Sequence, residues 1–103
     1  MPLSNPATIP TPSPASSVST ITSVTAAIVS TLILAANPSR KDAKIHNNST
    51  SRLYLSFGAS ASVAAFSVLL EAGGFYEMAI VYTGAISGIW LAANGSALVT
   101  ELT

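Results

Sequence analysis

Asp42-Ala43-Lys44-Ile45-His46-Asn47 alternates polar with apolar, Asn47-Asn48-Ser49-Thr50-Ser51 follows as a polar run, and Arg52-Leu53-Tyr54-Leu55-Ser56-Phe57-Gly58 resumes the alternation. A helix would repeat its apolar positions every three or four residues; a period of two is the signature of a strand. Ala43 and Ile45 then point to one face, and Lys44 and His46 to the other, which describes a strand with one wet side. Leu53, Leu55 and Phe57 likewise share a face. The polar run between them reads as a turn.

The rhythm continues downstream. Gly58-Ala59-Ser60-Ala61-Ser62 loops back, and Val63–Leu70 sets Phe66, Val68 and Leu70 together. Glu71-Ala72-Gly73-Gly74 is a strong turn signal, followed by an aromatic and β-branched strand over Phe75–Tyr82. Thr83-Gly84 turns the chain into Ala85–Leu91, with Ile86 and Trp90 on one face. Asn94-Gly95 predicts a hairpin-type turn, and Ala97–Thr103 closes the chain. Upstream, Val18–Val24 alternates and is rich in β-branched residues. Ala27–Ala36 is apolar on both faces, as in a doubly covered strand, and Asn37-Pro38-Ser39 ends it.

About eight short strands with turns roughly every 8–12 residues predict an all-β sandwich of jelly-roll or related type. It spans residues 17–103. Residues 1–16, MPLSNPATIPTPSPAS, are a separate element, with five of the six prolines at positions 2, 6, 10, 12 and 14. Proline fixes φ and lacks an N–H, which disfavours helix and central strand alike. The expectation is an extended, polyproline-like arm, able to reach about 50 Å at ~3.1 Å per residue. Pro6, Ile9, Pro10, Pro12 and Pro14 are its candidate contact residues.

Composition narrows the function. Half of the 103 residues are hydrophobic and 8% are charged, where globular domains carry about 25% charged residues. A surface so poor in charge is weakly defended against association, and burial by a protein partner or by sister copies, a trimer for instance, accounts for it. The net charge is zero and all four cations lie between Arg40 and Arg52. That cluster reads as one solvated edge, and the chain has no electrostatic footprint for nucleic acid. The aromatic residues are too few and scattered for a base-stacking platform. Tyr76 and Tyr82, of equal parity in one expected strand, are candidate interface residues, because tyrosine is enriched at interfaces.

No constellation for chemistry emerges. There is no cysteine, and His46 is the single histidine. Disulfides and thiolate metal sites are excluded, and His46 makes no multi-histidine site. Asp42 and His46 share a strand face but stand about 13 Å apart there, too far for a base and its orienting acid. In Gly84-Ala85-Ile86-Ser87-Gly88 the serine falls one position late for a nucleophile elbow. Glu71 and Glu77 are the conceivable carboxylate pair, with Glu71 read as a solvated turn residue. No phosphate loop or metal motif is present. The expectation is a protein without catalytic residue, metal or cofactor.

Residues 1–39, 53–70 and 78–100 are uncharged, and a bilayer span needs roughly 20 apolar residues. Seven Ser and Thr between Val18 and Ala36, Gly58, Gly84, Gly88 and Asn94-Gly95 argue instead for short strands. A two-span membrane protein is the rival class. With no Lys or Arg ahead of the first apolar run, no secretion signal is expected, and the mature chain is expected to begin near Met1. The sequon at Asn48 is then a coincidence within a turn.

The segment from Ser39 to Thr103 resembles small β-sandwich proteins encoded in tailed-phage genomes. The likeness lies in Ser39-Arg40-Lys41, Ile45-His46-Asn47-Asn48-Ser49, Leu53-Tyr54-Leu55-Ser56-Phe57-Gly58, Gly73-Gly74-Phe75-Tyr76-Glu77, Tyr82-Thr83-Gly84 and Ile89-Trp90. The resemblance covers about the last two-thirds of the chain and excludes the arm. It implies a structural virion component on the capsid exterior: a decoration (cement) protein bound to the major capsid protein or another virion protein. A tail- or fibre-associated or receptor-binding module is the alternative. No catalytic residue is implied.

Overall fold

A computed structural model describes residues 15–103. They form eight strands: β1 (Ser19–Thr25), β2 (Thr31–Leu34), β3 (Asp42–Ser49), β4 (Leu53–Phe57), β5 (Val68–Leu70), β6 (Phe75–Glu77), β7 (Ile86–Trp90) and β8 (Gly95–Leu102). There is no helix among them. The strands make two four-stranded antiparallel sheets, ordered β1-β8-β3-β6 and β2-β7-β4-β5.

The order explains the fold. First pairs with last (β1 with β8), then β2 with β7, β3 with β6 and β4 with β5. This is a long double ribbon folded over on itself, the jelly-roll arrangement, and it confirms the all-β sandwich expected from the rhythm of strands and turns. Every connection except β4–β5 crosses from one sheet to the other.

The core lies between the sheets. Ala43, Ile45, Ala97 and Val99 face inward from the first sheet, and Leu53, Leu55, Ile86 and Trp90 from the second; all are essentially inaccessible to solvent. Each large side chain among them contributes about 1.5–3 kcal/mol by leaving water. Ala43 and Ile45 are the inward pair that the alternation over Asp42–Asn47 predicts.

Several local expectations are corrected. The strand expected over Ala27–Ala36 is confined to Thr31–Leu34, with a register shift between Leu32 and Leu34, because the residues before it carry the chain between sheets. The strand expected over Val63–Leu70 is only Val68–Leu70, and Phe66 lies in the preceding connection. The aromatic strand ends at Glu77, so Tyr82 is in a loop. Asn94-Gly95 is not a hairpin turn, because β7 and β8 belong to different sheets.

Arg40 is not on a solvated edge. Only 3% of it is exposed. It donates to the carbonyls of Ala35, Tyr82 and Gly84, and its Nε donates to Glu101 Oε2 at 2.8 Å. A planar five-donor fork suits several acceptors that no neighbouring strand can satisfy. Arg40 thus ties the β2–β3 and β6–β7 connections to β8.

Candidate interaction surface

Strand register builds the outer face of the first sheet in two adjacent rows. One row runs Ile21, Thr100, Lys44, Glu77, and the next runs Ser23, Leu98, His46, Phe75. Ile21 is 69% exposed and Phe75 66%, with Leu98 partly exposed between them. Ile21, Lys44, His46, Phe75, Leu98 and Thr100 line a shallow groove of about 380 Å3. The face expected to be wet because of Lys44 and His46 is therefore half apolar. The side chains that make it so arrive from β1, β6 and β8.

The second sheet is covered at its centre, while Leu32 and Leu69 on its edge strands stay exposed. Beyond β4, Gly58 accepts a hydrogen bond from the buried Ser87 hydroxyl, and Ala61 N–H donates to Ser30. Phe66 then packs edge-on against the Tyr54 ring at 4.9 Å, and Tyr54 is buried. The β4–β5 connection thereby shields the outward residues Tyr54 and Ser87, whereas the first sheet has no such cover among the described residues.

Charge on the bare face sits on β3 and β6. Lys44 Nζ stands 3.7 Å from Glu77 Oε2, both half-exposed, and pairs of this kind contribute at most about 1 kcal/mol. Glu71 engages a different cation, Arg52, at 3.1 Å. The hydrogen bond that Arg52 donates to the Glu71 carboxylate, then its hydrogen bond with Tyr54, raises the Arg52 pKa above its ordinary value. Glu71 and Glu77 are thus drawn into separate ion pairs rather than into a carboxylate pair.

Asp42 lies two positions along β3 from Lys44, and its carboxylate accepts from the Ala43 N–H rather than from His46. Among the described residues no three of His, Asp or Glu cluster as metal ligands. A second, smaller cleft of about 280 Å3 lies between the β3–β4 and β7–β8 turns. Asn48, Ser49, Thr50, Asn94 and Gly95 line it, so it contains no group for acid–base chemistry. No helix among the described residues is long and apolar enough to cross a membrane.

Tyr76 and Tyr82 are brought together, but around the edge of the core. Both rings meet Phe57, with centroids at 5.8 and 5.1 Å, and both are half-buried against core residues. Pro6, Ile9, Pro10, Pro12 and Pro14 lie outside the described residues. Among the exposed apolar residues, Ile21, Phe75 and Leu98 form a cluster that the sequence reading missed. Their parity was visible, but their assembly into one patch depends on cross-strand register.

Fold and surface define a small jelly-roll domain with one bare sheet and one sheet covered at its centre. No family model, curated protein or solved structure matches the chain.

Proposed function

We propose that this protein is a virion component that docks on the exterior of an assembled capsid and cements neighbouring subunits. The bare apolar rows of the first sheet carry the reading. Ile21, Leu98 and Phe75 lie together on this face, and association with a protein surface would remove them from water. The Lys44–Glu77 pair is mutually compensated, and the row Ser23, Leu98, His46, Phe75 contains no Asp, Glu, Lys or Arg that docking would have to desolvate. Nothing in the arrangement supplies a nucleophile with its base, so adhesion fits the site better than turnover.

The test is co-sedimentation with empty capsids of the phage that encodes the chain. The unaltered protein is expected in the pellet, and the double variant Ile21→Lys, Phe75→Lys in the supernatant with its β spectrum intact. Equal binding of the two would remove the face from the proposal. Copy number separates the readings further. Hundreds of copies per particle fit a capsid cement, whereas a few fit a tail or receptor-binding part, to which the polar cleft around Asn48 and Asn94 would be suited.

A further inference from the structure

Four strands lie at sheet edges, and three of them are blunted. β5 and β6 have three residues each, and β2 has four with a register shift. β1 differs: it runs for seven residues, Ser19-Thr20-Ile21-Thr22-Ser23-Val24-Thr25, in unbroken register with β8. It contains no charge, proline or bulge, the usual devices that keep an edge from pairing. Both of its faces are open, with only Val24 half-buried.

The direction of its free backbone groups follows from its ends. Thr103 N–H donates to Val18 O, and Ala26 N–H donates to Gly95 O. Even-numbered residues therefore turn their peptide groups toward β8, and Ser19, Ile21, Ser23 and Thr25 turn theirs outward. Among the described residues nothing pairs with them.

The sequence ahead of β1 has a matching property. Its prolines stand at 2, 6, 10, 12 and 14, all even. In an extended chain, even positions direct their backbone to one edge and odd positions to the other. Every missing N–H would lie on one edge, while Leu3, Asn5, Ala7, Ile9, Thr11 and Ser13 keep their donors on the other. Such a segment can add to a sheet on one side and ends its growth on the other, which is where proline is tolerated in sheets.

The described residues ahead of β1 do not run along its free edge. Ala15 O accepts from Lys41 Nζ at 2.6 Å, and Lys41 N–H donates to Leu102 O, on the β3 side of β8. A strand on the free edge of β1 would lie three spacings from β3, about 14 Å, farther than a lysine side chain spans. The chain leaves β1 toward the interior of the sheet.

We infer that residues 3–13 of one copy add as a fifth strand to the β1 edge of a second copy, bonding through odd-numbered residues on both sides. The fourteen residues beyond Ala15 are long enough to leave one domain and line a seven-residue strand on the next. The contact is head-to-tail and closes into a ring, or is exchanged reciprocally in a dimer. It does not depend on the capsid reading, because it concerns the isolated protein.

The test moves the prolines in the full chain. Ala7→Pro with Thr11→Pro blocks odd positions; Ser4→Pro with Thr8→Pro adds two prolines at even ones. The unaltered protein and the even variant are expected to sediment as oligomers, with the Ile21 and Ser23 amides exchanging roughly tenfold more slowly than in the odd variant. The odd variant is expected to be monomeric and folded. Rapid exchange at Ile21 and Ser23 in the unaltered protein would overturn the proposal, as would equal behaviour of the two variants. Protected amides in a monomer would overturn the exchange between copies and assign the edge to the chain's own arm.

Discussion

The indole Nε1 of Trp90 donates to Oδ1 of Asn47 at 3.2 Å, with both side chains sealed inside the sandwich. The other end of the Asn47 amide faces three carbonyls, those of Ser51, Leu70 and Glu71, at 2.7–3.1 Å. Its backbone is also engaged: the N–H donates to Gly74 O, and the carbonyl accepts from Gly73 N–H. One residue thus links β7 and the β3–β4 and β5–β6 connections, at the end of the molecule where those connections meet.

Replacing Asn47 is therefore expected to cost far more than its size suggests. Asn47→Ala strands the Trp90 N–H and the inward carbonyls, a loss of about 2–4 kcal/mol for several unsatisfied buried groups. Asn47→Asp is expected to be worse, since a carboxylate has no hydrogens for carbonyls and adds a buried charge. Urea unfolding followed by the fluorescence of the single tryptophan measures both. An Asp variant as stable as the parent would refute the role given to the amide group.

Asn47 also marks the limit of what the sequence discloses. Within Asn47-Asn48-Ser49-Thr50-Ser51 it reads as a turn residue, yet β3 continues to Ser49. One signal was present: Asn47 has the parity of Ala43 and Ile45, both fully buried. Strand number and the inward sets Leu53, Leu55 and Ile86, Trp90 were legible because period-two alternation is local. Sheet switching was not, which is why Asn94-Gly95 looked like a hairpin and Phe75–Tyr82 like one long strand. The bare face was hidden for the same reason, because Ile21, Leu98 and Phe75 are far apart in sequence and meet only through register.

Arg40 offers a second test, at the opposite end of the sandwich. Its guanidinium is withdrawn from water against three carbonyls and the Glu101 carboxylate. Arg40→Lys keeps the charge but replaces a planar fork by a compact ammonium with three donors, so a loss of about 2–4 kcal/mol is expected. Glu101→Gln leaves the buried cation without its counter-charge and is expected to cost a similar amount. The double variant Arg40→Met, Glu101→Gln should recover part of the loss, because no unpaired charge remains. Additive losses in the denaturation cycle would contradict the coupling.

Two glycines with similar backbones separate conformational strain from collision. Gly73 and Gly95 both have positive φ, +78° and +94°, a region that costs an L-residue about 1–2 kcal/mol. At Gly73, third residue of the turn closed by Gly74 N–H to Glu71 O, an added Cβ meets nothing within 4 Å. At Gly95 it would stand 2.5 Å from Asn48 O and 2.7 Å from Ser49 Cα. These are backbone atoms of the adjoining strand, and they yield only if the β3–β8 ladder opens at that end. Gly73→Ala is thus expected to lose roughly the strain alone, and Gly95→Ala that strain plus a clash of about 1–3 kcal/mol. The Gly95 variant should also release the amides at the end of the β3–β8 ladder to faster hydrogen exchange, while those of the Gly73 variant stay protected. If the two alanine variants unfolded at the same denaturant concentration, the tight apposition of β3 and β8 at Gly95 would have no energetic consequence, and only the shared backbone conformation would matter.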